Sequence, residues 1–107
     1  MSNHKYEVRR DFLPVRTALE DLSPELSPAV EGALRLLEND PRPEKYGCRK
    51  VKGAYFKITV EGSDEDIAIL YEVHESPAAV IDLVNVKRVG VIGRTLRWLA
   101  DLKDFRP

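Results

Sequence analysis

Three sets of side chains in this sequence have the types and spacing to do chemistry. The first is cationic: Arg49, Lys50 and Lys52, followed by Lys57. Clustered cations hold phosphate groups, and lysines on an edge strand equally keep it from pairing with other chains. The second is Glu72 and His74, two residues apart and therefore on one face of an extended segment. Beside a lysine such groups accept or donate protons, or they form a plain cross-strand ion pair. The third is Cys48, next to Arg49 and Lys50. Neighbouring cations lower a thiol pKa, but no histidine stands at matching spacing and no nucleophilic role is assigned. One cysteine and two widely separated histidines, His4 and His74, give no zinc-type spacing, so no metal and no other cofactor is expected.

These residues must be positioned by elements legible in the hydropathy pattern. Residues 4–10 alternate loosely, with Tyr6 and Val8 on one side, and predict a short first strand. Asp11 is placed to cap a helix from Phe12 to about Leu22, with Pro14 in its first turn and Val15, Ala18, Leu19 and Leu22 as its apolar face. Ser23-Pro24 and Ser27-Pro28 are alternative starts for a second helix reaching about Asn39, with Ala29, Val30, Ala33, Leu34 and Leu37 as its stripe. Asn39-Asp40-Pro41-Arg42-Pro43 stops it.

The period then changes to two. In Tyr55 to Val60, Phe56, Ile58 and Val60 share one face, which leaves Tyr55, Lys57 and Thr59 on the other. Gly62 to Asp66 reads as a polar turn. Ile67 to Val73 is almost entirely apolar, the pattern of a central strand covered on both faces. Glu75-Ser76-Pro77 turns the chain into a third strand, Ala79 to Val86, and a helix from about Gly93 to Leu102, carrying Trp98, ends it. Three strands joined by short turns form an antiparallel meander. The expected fold is α+β, with an antiparallel sheet of about four strands, two N-terminal helices on one face and a C-terminal helix. The whole of 1–107 forms one domain.

The chain has 107 residues, of which 33% are charged, and a net charge of −1, which excludes a uniformly basic nucleic-acid binder. The total conceals segregation. Residues 42–60 carry six basic and one acidic side chain, residues 61–83 carry seven acidic and no Lys or Arg, and residues 84–107 carry six basic and two acidic. Two basic stretches around an acidic one either fold into a single positive patch or neutralise their neighbours across a sheet. The lone cysteine rules out an internal disulfide. No apolar run approaches the roughly 18 residues of a membrane span. The polar stretch Met1 to Arg10 has no secretory apolar region, so the cytoplasm is the expected compartment.

The order strand, helix, helix, meander carries a set of local motifs. They are the stop Asn39-Asp40-Pro41-Arg42-Pro43 and the lead-in Arg49-Lys50-Val51-Lys52-Gly53. The hairpin Tyr55–Val60 and Ile67–Val73 follows, with Leu70-Tyr71-Glu72-Val73, and the strand end Asn85-Val86-Lys87-Arg88 closes the set. Over about residues 4–88 this resembles the RelE/ParE toxin superfamily of bacterial toxin–antitoxin systems, on its RelE-like side. The resemblance implies a toxin that enters the ribosome and cleaves mRNA without a metal, using the RNA's own 2′-hydroxyl as nucleophile. It also implies an acidic cognate antitoxin as partner, the ribosome and mRNA as targets, and neither membrane nor small-molecule cofactor. The alternative within the resemblance is a catalytically impaired protein-binding module or a gyrase-directed toxin. Carried over by position, Lys57 is the basic residue of the first hairpin strand, and Lys87 and Arg88 are the closing basic pair. Tyr71 is the structural tyrosine. Ala68 stands where an arginine is usual. The expected catalytic set is Lys57, Arg88 and Glu72, with Arg49, Lys50, Lys52 and Lys87 binding nucleic acid.

Overall fold

The structure is a computed structural model and describes residues 5–90. The expected C-terminal helix, with Trp98, lies outside the described residues, as does the start of the 4–10 strand. Along the described chain run β1 (Glu7–Arg9), α1 (Leu13–Glu20), α2 (Leu26–Leu37), a 3₁₀ turn (Glu44–Tyr46), β2 (Arg49–Lys52), β3 (Tyr55–Glu61), β4 (Glu65–His74) and β5 (Val80–Gly90). The architecture is α+β.

The first helix starts slightly differently from the sequence expectation, and the second at one of its two expected starts. Phe12, not Asp11, precedes α1, and no side chain caps it. Pro14 already removes one of the N–H groups that a cap would satisfy. The first of the two Ser-Pro steps starts α2: Ser23 accepts from the Leu26 N–H through its hydroxyl at 3.3 Å and from the Ser27 N–H through its carbonyl at 2.9 Å. Pro28 then falls in the first helical turn, where a missing N–H costs nothing.

The sheet has five strands in the order β1-β5-β4-β3-β2. The β3-β4-β5 meander is antiparallel, as expected, and two further strands extend it. β2, formed by the basic lead-in, pairs antiparallel with the start of β3. β1 pairs parallel with β5, Val8 opposite Ile81 and Arg9 opposite Asp82. The sheet is therefore mixed rather than antiparallel throughout. A parallel neighbour requires a long connection, and here everything between β1 and β5 supplies it.

α1 packs against β5 and α2 against β3 on the same side of the sheet. The core lies between. Val15, Val30, Ala33, Leu34 and Leu37 from the helices meet Phe56, Ile58, Ile67, Ile69, Tyr71, Ile81 and Leu83 from the strands. Burial of each large aliphatic side chain contributes about 1.5–3 kcal/mol. β4 runs longer than its apolar segment. Glu65 and Asp66, read as turn residues, belong to the strand, because Asp66 pairs with Glu61 on one side and Val89 on the other. Asp66 is fully buried.

Candidate phosphate-binding face

The side of the sheet away from the helices is set by strand alternation. Residues directly opposite each other on paired strands share a face. Ile58 opposes Ile69 and Phe56 opposes Tyr71, all in the core, so Lys57 opposes Leu70 and Thr59 opposes Ala68 on the open side. Lys57 thus lies where the sequence puts it. Tyr71 is wholly buried, as assigned.

On β5 the alternation is broken. The ladder shifts between Leu70 and Tyr71, so that Leu70 pairs with Asn85 while Tyr71 pairs with Leu83. Val84 is the extra residue of a β-bulge. Leu83 and Val86 both face the core although they are three apart. Beyond the bulge, Asn85 and Lys87 face the open side opposite Leu70 and Ala68.

Arg88 does not join this face. It opposes the core residue Ile67 and so points to the helix side. There its Nε donates to Glu65 Oε1 at 3.0 Å, and its guanidinium lies 3.6 Å from Asp21 at the end of α1. The hydrogen bond to Glu65 holds its pKa above the usual arginine value. The expected pairing of Lys57 with Arg88 over the central strand is therefore replaced by Lys57 with Lys87. The reason is that Arg88 shares the parity of Val86.

The lead-in cations divide in the same way. Arg49 is directly opposite Lys57, so two cations sit side by side on the open face. Lys52, opposite Tyr55, is on that face too, while Lys50, opposite Phe56, is on the helix side of the edge. A shift between Lys50 and Lys52 makes Val51 the irregular residue. Val51, Ala68, Leu70 and Val89, with Lys57, Asn85 and Lys87, line a shallow groove of about 420 Å³. A larger cleft of about 560 Å³ shares Lys57 with it. Lys45, Tyr46 and Arg49, Ala29 and Gly32 of α2, and Thr59 and the acidic Glu61 of β3 line it as well. Like charges directly opposite destabilise a bare strand pair. Lys57 and Lys87 lie two strands and two residues apart, about 12 Å between Cα atoms at about 4.8 Å per strand and 3.3 Å per residue, a gap that two lysine side chains can close onto one phosphate.

Further along the open face lies a polar cluster. Glu72 opposes Tyr55 on one side and Asp82 on the other. His74 Nε2 is 3.1 Å from Glu72 Oε1 and 3.4 Å from Asp82 Oδ2. Asp82 also accepts from Arg9, Nε to Oδ1 at 2.8 Å and Nη2 to Oδ2 at 3.2 Å. Glu72 thus lies on the face with Lys57, but the side chain next to its carboxylate is His74. The sequence puts Glu72 and His74 on one face, near Lys57 or Tyr55, and does not announce Asp82. Residues 82 and 85 share a face only because of the bulge, which no periodicity announces.

Cys48 faces inward. Its Sγ is 3.2 Å from the Tyr71 hydroxyl, which donates to the Pro41 carbonyl at 2.6 Å. Burial pushes the Cys48 thiol above its ordinary pKa and outweighs the opposing effects of Tyr71 and Arg42. The neighbouring cations therefore do not activate it.

No family model, no curated protein and no solved structure matches the chain.

Proposed function

We propose that this chain is a RelE-like toxin whose open sheet face holds an RNA phosphate for cleavage by the adjacent 2′-hydroxyl. The observation that carries the reading is the placement of Lys57 and Lys87 on one face, around the gap over Ala68 and Leu70, with Arg49 beside Lys57 on β2. The strand–helix–helix–meander order and the buried Tyr71 fit the resemblance drawn from the sequence. In this reaction the 2′-oxygen attacks phosphorus, the bond to the 5′-oxygen breaks, and negative charge builds on the non-bridging oxygens. Lys57 and Lys87 stabilise that charge, which is the main demand of phosphoryl transfer. Glu72 takes the 2′-hydroxyl proton. Lys52 and Arg49 extend the path for neighbouring phosphates. The partner is an acidic antitoxin that covers this face.

A second reading has its own observation. The floor of the groove is apolar, made by Val51, Ala68, Leu70 and Val89, and Ala68 occupies the place where the family usually has a phosphate-binding arginine. That floor suits a protein partner, either in a catalytically impaired binding module or in a gyrase-directed toxin.

The deciding experiment is primer extension on mRNA translated in the presence of the purified chain. Wild type is expected to cleave. Lys57→Ala and Lys87→Ala should each lower cleavage by roughly 100- to 1,000-fold, the usual effect of removing one charge-stabilising group. Arg88→Ala, on the other side of the sheet, should leave it within about threefold. An intact message on programmed ribosomes with wild type rejects the ribonuclease and leaves the binding module.

A further inference from the structure

We propose that Glu72, His74 and Asp82 form a binding site for a divalent transition-metal ion, with Zn²⁺ as its reference occupant. The proposal does not rest on the RNA reading and competes with it for Glu72.

The site is built by register. Glu72 and His74 are two apart on β4, hence on one face, and Asp82 is the residue on β5 directly opposite Glu72. One ligand atom from each residue lies within 4.8 Å of the other two. The separations from His74 Nε2 are 3.1 Å to Glu72 and 3.4 Å to Asp82. Ligands at zinc bond lengths of about 2.0–2.2 Å in a tetrahedron stand about 3.3–3.6 Å apart. The two edges that meet at His74 thus nearly match those of a coordination polyhedron, and the third is at most 4.8 Å.

The surroundings add two features that a chance surface pair lacks. The first is support behind a ligand. Arg9, on the parallel strand β1, grips both oxygens of Asp82. Outer hydrogen bonds of this kind orient metal-binding carboxylates. The second is charge. Two carboxylates around a neutral imidazole carry −2, and Arg9 leaves −1 in excess, which attracts a dication. The side chains are 38%, 28% and 33% exposed in the order His74, Glu72, Asp82, so an ion reaches them from solvent while they stay partly desolvated.

The donor set, one imidazole nitrogen and two carboxylate oxygens, suits Zn²⁺, Co²⁺, Mn²⁺ or Fe²⁺ and not a soft ion such as Cu⁺. Three protein ligands leave at least one position for water. The same distances also suit a protonated imidazole bridging the two carboxylates, and this is the competing account that the test must reject. Bound metal and proton acceptance by Glu72 exclude each other in one molecule, because both use the same carboxylate.

The experiment is calorimetric titration of the metal-stripped full-length chain with ZnCl₂, with a parallel Co²⁺ titration read by visible absorption. Wild type should take up one saturating equivalent. The Co²⁺ spectrum should show ligand-field bands without a thiolate charge-transfer band, because Cys48 is no ligand. His74→Ala and the shape-conserving Glu72→Gln and Asp82→Asn should each weaken binding by at least tenfold, and Cys48→Ser should leave it unchanged. Zn²⁺ should raise the melting temperature of wild type and not of these three variants. Far-UV circular dichroism of each variant separates lost binding from lost fold, and the two amide replacements keep the test alive if His74→Ala does not fold. Absence of saturable uptake by wild type up to 1 mM Zn²⁺, or uptake that survives His74→Ala, overturns the proposal and leaves the protonated bridge.

Discussion

Tyr71 shows how a single polar atom joins segments far apart in sequence. Its ring is stacked on Phe56, with centroids 6.1 Å apart. Its hydroxyl bonds the Pro41 carbonyl, which terminates the stop after α2, and touches the thiol of Cys48 before β2. Tyr71→Phe keeps the ring and leaves that carbonyl without its donor, a loss of about 1–3 kcal/mol. Urea denaturation is the measurement, and a change below 0.5 kcal/mol would show that water replaces the bond. Burial raises the pKa of both Tyr71 and Cys48. Each therefore holds its proton more tightly folded than unfolded. Their contribution to stability is complete below the ordinary thiol value of about 8.5 and is lost as pH rises through the raised folded values. The urea midpoint should accordingly fall above about pH 8.5, and Cys48→Ala should flatten the first part of that fall. Alkylation of Cys48 by iodoacetamide at pH 7 should be slow in the native chain and fast in urea, because the native thiolate is scarce.

At the scale of elements, the bulge in β5 decides what each face carries. Without Val84, continuous alternation would turn residues 80–83 over, moving Ile81 and Leu83 out of the core and Asp82 into it. Each aliphatic loss of that kind costs about 2–5 kcal/mol, against a typical total stability of about 5–15 kcal/mol. Deletion of Val84 should therefore abolish the fold, while Val84→Ala, which keeps the extra residue, should remain folded by circular dichroism. A folded deletion variant would mean that β5 re-registers without penalty. Gly62, in the β3–β4 turn, gives a second test of element packing. A Cβ there would stand 2.5 Å from the Glu65 carbonyl oxygen and 2.6 Å from Leu26 of α2. Gly62→Ala must displace the Glu65 backbone oxygen and turn the Leu26 side chain aside, and a melting temperature lowered by several degrees is expected. Such local facts mark the limit of the sequence. The helices, the hairpin and the open-face position of Lys57 follow from periods of 3.6 and 2, because each face meets one environment. The parallel edge strand β1 has three residues, too few for a period, and its partner lies about seventy residues on. The side taken by Lys87 and Arg88 was legible, since Arg88 shares the parity of the apolar Val86. The meeting of Asp82 with His74 was not, because it depends on the register that the 75–79 turn sets, and Val84 hides that Asp82 shares the face of Lys87.

Over the whole molecule, the two outcomes that charge segregation allowed both occur: cations are matched on both sides of the sheet, Arg9 to Asp82 on the open one, and others collect on the open face. Arg88 is matched to Glu65 and Asp21, and Arg10 to Glu31 at 2.7 Å, beside the helices. Arg49, Lys52, Lys57 and Lys87 gather on the open face. No helix among the described residues is long and apolar enough to cross a membrane. A net charge of −1 gives the chain no general attraction for a polyanion, so affinity for RNA needs a local cluster of cations, and the open face supplies one among the described residues. This makes the salt dependence of binding diagnostic. Each phosphate neutralised on a single strand releases counterions and contributes about −0.7 to the slope of log K against log salt. Three engaged cations, Arg49, Lys57 and Lys87, give a slope of about −2. Lys57→Ala or Lys87→Ala should each reduce its magnitude by about 0.7. Arg88→Ala should leave it unchanged, since its charge is spent on the helix side of the sheet. Fluorescence anisotropy with a short single-stranded RNA between 50 and 300 mM KCl reads all four slopes. If the wild-type slope lies near zero, the face carries no phosphate, and its apolar floor belongs to a protein partner instead. If Arg88→Ala changes the slope as much as Lys57→Ala does, the RNA path crosses the sheet edge to the helix side, and the phosphate site has been drawn on the wrong face.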